Sequence, residues 1–200
     1  MIISRIKKIK ETELPSYRGD QLYMYPIDLT KNIDLPLKRW QPFIENMVKY
    51  IEGKVSEVFL TIDERLIKQG KTHRRGGPHV DGNFLYDWGS GGGNGWLTGG
   101  AGRSLNPVKH KKQYCDPRGS MLIVSSYAAC RAWIGEFKGQ PLQGGNCGHI
   151  QDQLSIADTF VLKKNILYHG NSTCVHESLP LDKDIKRQLV RLTINPWEGK

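Results

Sequence analysis

The chain is poor in cysteine, and its four cysteines are unpaired in spacing. Cys115, Cys130, Cys147 and Cys174 form no CxxC, which excludes the common zinc-ribbon and thioredoxin-like patterns. No apolar run reaches the roughly 20 residues of a membrane helix; the best, Met121–Ile134, is short and contains Arg131. Met1–Lys10 alternates apolar and basic residues and lacks the apolar centre of a signal peptide. These absences predict free thiols in a reducing compartment, hence a cytoplasmic protein with no membrane partner. Acidic residues are also few: 20 Asp and Glu stand against 29 Lys and Arg, a net charge of +9. Such a balance favours a polyanion, nucleic acid first, unless it only keeps the surface soluble. No nucleic-acid-binding motif accompanies the charge.

Glycine is abundant, at 22 residues. It concentrates in 87–106, yet neither GxGxxG nor GxxxxGK[ST] occurs there and no helical pattern comes after it, so a phosphate loop is excluded. A mobile loop carrying Trp88 and Trp96 is expected instead, either a plain surface loop or a lid over a site.

Two hundred residues suit one compact domain. We divide it into an N-terminal extension with a packing helix (1–54) and a core (55–200). Leu37, Trp40, Ile44, Met47, Val48 and Ile51 recur at helical steps, with Asp34 placed to cap the start and Gly53 to end the helix. Val55–Ile62 is β-branched and aromatic, so a strand, and Asp63-Glu64 reads as the turn that closes it. From Gly119 onward, short strand-like runs are separated by Gly, Asn, Asp or Pro turns. The expected class is mostly β with an N-terminal helix, as a jelly roll.

The chemistry centres on Gly76-Gly77-Pro78-His79-Val80-Asp81-Gly82-Asn83. On an extended strand, side chains two apart share a face, so His79 and Asp81 supply two corners of a metal site. His-x-Asp by itself is common as a surface hydrogen bond, and a second His is needed. His73 lies beside Arg74 and Arg75, and His110 lies among lysines, so both would repel a cation. His149 pairs in sequence only with Cys147. His169 and His176 remain, and His176 is preferred for the residues C-terminal to it. Arg187, Arg191 and Thr193 fall on one strand face, where an arginine with a hydroxyl two residues on can grip a carboxylate.

This ordered set (HVD at 79–81, His176, and Arg191-Leu-Thr193) resembles the Fe(II)- and 2-oxoglutarate-dependent dioxygenases over roughly residues 55–195. The resemblance implies a double-stranded β-helix, iron held by His79, Asp81 and His176, and Arg191 with Thr193 on the far carboxylate of 2-oxoglutarate. Arg187 is the alternative for that last role. It implies hydroxylation of a substrate with O2, releasing succinate and CO2. The basic charge looks most like the nucleobase-oxidising branch of base J and TET-like enzymes, with Arg74, Arg75, Asn83, Trp88 and Trp96 meeting DNA or RNA. The alternatives are an amino-acid or protein side-chain hydroxylase, or a non-oxidative cupin-like or nucleic-acid-binding module.

Overall fold

The computed structural model describes residues 1–81, 119–142 and 145–196. Asn83, Trp88, Trp96, the 87–106 glycine segment, His110 and Cys115 lie outside the described residues.

The chain is mostly β. Its strands are β1 (Ile2–Ser4), β2 (Ile6–Glu11), β3 (Gln21–Ile27), β4 (Val55–Ile67), β5 (Ser120–Ser125), β6 (Cys130–Phe137), β7 (Asp158–Val161), β8 (Ile166–Asn171), β9 (His176–Ser178) and β10 (Ile185–Pro196). They form two antiparallel sheets. A six-stranded sheet runs β2-β8-β5-β10-β4-β3, and a smaller one runs β1-β6-β7 with β9 also on β6. Residues 1–27 thus contribute strands to both sheets.

Alternation along the central strands explains the layering. On one face of the large sheet, Val58, Leu60 and Ile62 of β4, Leu122 and Val124 of β5, and Val190, Leu192 and Ile194 of β10 form one core. Trp40, Ile44 and Met47 cover it, from a 3-10 turn at Lys38–Trp40 and helix α1 (Gln41–Val48). Asp34 does not cap this helix but pairs with Lys38. A second short helix, α2 (Gln151–Ser155), precedes β7. The opposite residues, Met121, Ile123 and Leu189, meet Cys130 and Ala132 of the small sheet in a second core. Period-two patterning therefore sends odd-numbered residues of β5 and β10 between the sheets.

Two local expectations are corrected. Asp63 and Glu64 do not form a turn, because β4 runs straight through them and both are buried. Glu64 accepts from the backbone N–H groups of Arg18 and Asp20, from Arg39 and from Gln188, while Arg65 binds Asp63 through two nitrogens at 2.7 Å. Partners distant in sequence outweigh local turn propensity. His79 likewise does not sit in a strand. It makes isolated antiparallel bridges to Asn146 and His176.

Candidate metal centre

The bridge to His176 assembles the site. His79 N–H donates to the His176 carbonyl at 2.9 Å, and His176 N–H donates to the His79 carbonyl at 2.8 Å. Facing residues of an antiparallel pair have neighbouring side chains, and the two imidazole centroids are 4.6 Å apart. Asp81, two residues beyond His79, brings Oδ2 to 3.5 Å from His176 Nε2. Ligand atoms of His79, Asp81 and His176 all lie within 4.8 Å of one another.

The tautomers suit coordination. His79 Nδ1 is 2.7 Å from the Gly77 carbonyl, and His176 Nδ1 is 2.9 Å from the Cys174 carbonyl. A carbonyl oxygen only accepts, so each Nδ1 carries the proton and each Nε2 offers a lone pair. Such backbone carbonyls commonly fix a ligating imidazole. Burial, then the neighbouring His176 ring, push His79 down to about 3, so it stays neutral. Burial works to raise Asp81, but the Arg191 guanidinium overcomes it and holds the carboxyl below the usual range. Two bare imidazole nitrogens and one carboxylate, all largely buried, fit the 2-His-1-carboxylate site of the 2-oxoglutarate oxygenases.

The two arginines of β10 have different surroundings. Arg191 is ion-paired with Asp81, while its Nε and the Oγ1 of Thr193 are buried with no hydrogen-bond partner among the described residues. Arg187 is 1% exposed. Its Nε donates to Ser125 Oγ at 3.0 Å and one terminal nitrogen reaches Ser178 Oγ at 3.4 Å. Among the described residues Arg187 makes no ion pair. An unpaired buried cation costs several kcal/mol, so this pocket suits an anion.

Arg74 and Arg75 were expected to face phosphates. Arg74 instead meets Asp63 at 3.1 Å and stands over the Tyr23 ring, 5.6 Å from its centroid, while the Arg75 carbonyl accepts from Ser178 N–H. Elsewhere, His169 faces Glu52 at 4.0 Å and His149 is exposed on a 3-10 turn. His73 is buried beside Asp63, with Nε2 3.3 Å from Oδ1. Sequence reasoning missed Asp63, Ser125 and Ser178. Only the odd-number register with Arg187 and Leu189 could have pointed to the first two. Cys130, Cys147 and Cys174 are buried, and Cys130 and Cys174 are free thiols. Among the described residues no helix is long and apolar enough to cross a membrane.

No family model and no curated protein matches the chain. Among solved structures, it is similar to a novel N-substituted L-amino acid dioxygenase from Burkholderia ambifaria, with TM-score 0.42 and 16% identity over 80% of this chain and 61% of that one. The same dioxygenase in complex with alpha-KG gives TM-score 0.39 and 14% identity over 79% and 63%. AviO1 from Streptomyces viridochromogenes gives TM-score 0.42 and 9% identity over 94% and 77%. The chain thus spans less than two thirds of the amino-acid dioxygenase chains.

Proposed function

We propose that this protein is an Fe(II)- and 2-oxoglutarate-dependent dioxygenase built on a double-stranded β-helix, with residues 55–200 as its catalytic core. The reading is carried by one juxtaposition: a His-Asp-His donor set beside a buried guanidinium that has no carboxylate partner among the described residues. The overall reaction converts substrate, 2-oxoglutarate and O2 into hydroxylated substrate, succinate and CO2.

His79, Asp81 and His176 would hold the iron. Bound there, Fe(II) supplies open positions for 2-oxoglutarate and O2 and the oxidising capacity for hydroxylation. The chain's own residues bind and orient. The Gly77 and Cys174 carbonyls keep both imidazoles in the ligating tautomer. Arg191 fixes the Asp81 carboxylate.

The far carboxylate of 2-oxoglutarate falls to Arg187, and Arg191 stays at the near end. The support is geometric. Arg187 reaches Ser178, which lies two residues from His176 on the same face of β9, a strand repeat of about 6.6–6.8 Å. Four C–C bonds of about 1.5 Å carry a five-carbon diacid across much of that gap. Ser125 and Ser178 aim the guanidinium fork. Ile123 and Leu189, both buried on the intervening face, exclude water and strengthen each charge contact.

The test is calorimetric titration of 2-oxoglutarate into Mn(II)-loaded protein without oxygen, then succinate measurement with Fe(II) in air. Metal-dependent binding and succinate release support the reading. Binding that ignores the metal refutes it and leaves a non-oxidative module.

A further inference from the structure

A second charged cluster borders the triad, where the Arg74 N–H donates to Ser178 Oγ of β9 at 3.3 Å. In the β10–β4 register, Arg191 faces Thr61, Leu189 faces Asp63 and Thr193 faces Phe59. Thr61, Asp63 and Phe59 therefore share the face of the site residues. Asp63 is bound by Arg65, through Nε to Oδ1 and a terminal nitrogen to Oδ2. Arg74 is ion-paired to the same carboxylate at 3.1 Å, so two arginines share one negative charge. The Arg74 side chain is 36% exposed, and the residue is tied to β9 two positions from His176.

The floor under Arg74 is unusual backbone. β3 carries a bulge between Leu22 and Tyr25, and Met24 within it has φ +50°. A left-handed backbone is unfavourable for a non-glycine residue, and bulges re-aim side chains beside sites. The bulge sets Tyr23 beneath the Arg74 guanidinium and Met24 against Phe59. Met24 and Phe59 form an apolar pair separate from the main cores. The Met24 N–H donates to Thr61 Oγ1 at 3.4 Å.

Charge selects the occupant. Among the described residues, Arg65 and Arg74 share Asp63, Arg191 pairs with Asp81 and Arg187 makes no ion pair, an excess of two positive charges. A divalent metal and dianionic 2-oxoglutarate cancel each other and leave that excess. A monoanionic substrate offsets one of the two, and the Met24–Phe59 pair offers its body an apolar wall.

We propose that Arg74 receives the carboxylate of the primary substrate, a small organic acid whose apolar arm lies against Tyr23, Met24 and Phe59. This rests on the oxygenase reading above. The experiment is ligand-observed NMR with Mn(II)-loaded protein and 2-oxoglutarate. Its probes are 4-methylpentanoate, 4-methylpentanamide and a short oligothymidylate. We expect Mn(II) to broaden 2-oxoglutarate and 4-methylpentanoate, but not the amide. Arg74→Gln should weaken the carboxylate roughly tenfold to a hundredfold while 2-oxoglutarate stays broadened. Arg74→Lys keeps the charge and should retain part of the binding, and Met24→Ala should lower affinity for the branched arm. Equal broadening of acid and amide, or preference for the oligonucleotide, overturns the proposal with the oxygenase reading intact. Failure of Mn(II) to broaden 2-oxoglutarate overturns both.

Discussion

His79 and His176 are joined backbone to backbone by two reciprocal hydrogen bonds, at 2.9 and 2.8 Å. The pair is an isolated bridge, so two segments almost one hundred residues apart in sequence are tied together at the ligands themselves. Each ring is then turned by a carbonyl two residues before it, Gly77 for His79 and Cys174 for His176. Main-chain groups thus set the ligand geometry, which side-chain substitution at the ligand positions leaves largely in place.

Replacing His79, Asp81 or His176 by Ala should therefore abolish stoichiometric Co(II) or Mn(II) binding with little change in circular dichroism. His169→Ala should bind metal normally, because His169 faces Glu52 and not the triad. Calorimetric metal titration of the four variants decides this. Full binding by His176→Ala with loss in His169→Ala would mean the other histidine is the ligand.

Arg187 and Arg191 should separate in a second titration. Arg187→Met should raise the 2-oxoglutarate dissociation constant, the loss of a charge-assisted pair being about 1.5–3 kcal/mol, and leave metal affinity unchanged. Without ligand its melting temperature should hold or rise, because a buried unpaired charge is removed. Arg191→Met should instead change metal affinity, since it frees Asp81. A large loss of stability in ligand-free Arg187→Met would make Arg187 a structural residue.

The legible parts of this site were those with local signatures. His79 and Asp81 are two apart, and Arg187, Arg191 and Thr193 alternate on one strand, so period two alone groups them. The strand-rich body was legible for the same reason, as in Val190, Leu192 and Ile194 against Leu189, Arg191 and Thr193. Asp63 and Glu64 were misread because two adjacent carboxylates signal a turn unless arginines pair them inside the fold, here Arg65 and Arg74 on Asp63 and Arg39 on Glu64. Ser125 and Ser178 were invisible because a serine has no pattern of its own, and their meaning comes from Arg187 lying between strands β5 and β9.

The buried thiols give a simple check of the inner packing. Burial pushes Cys130 up to about 12 and raises Cys174 as well, so both remain protonated and unreactive at pH 8. In the native protein, iodoacetamide treatment and peptide mass mapping should leave Cys130 and Cys174 unmodified, and both should alkylate in guanidinium. Rapid native labelling of Cys130 would contradict the closed face between the sheets.

The metal-free protein should lose stability as pH falls from 7.5 to 5.5. His73 is buried beside Asp63. Burial lowers its proton affinity, and although Asp63 raises it, Arg187 and Arg65 lower it further, so the folded value lies below the usual one. In the unfolded chain His73 takes up a proton near its ordinary pKa of about 6.5. Below that pH the unfolded state therefore binds more protons, and stability must decline as pH falls. His79 and His169 shift in the same direction and add to the slope. Each histidine contributes up to about 1.4 kcal/mol per pH unit within its window. Asp63 and Asp81 are held below the usual carboxylate range, so their contribution persists until more acid conditions. Melting temperatures in EDTA at pH 7.5, 6.5 and 5.5 should fall in that order. His73→Gln, which keeps a donor for Asp63 but cannot titrate, should make the decline shallower. A melting temperature that is flat over this range, or an unchanged slope in His73→Gln, would show that His73 does not enter the folded state as a neutral ring.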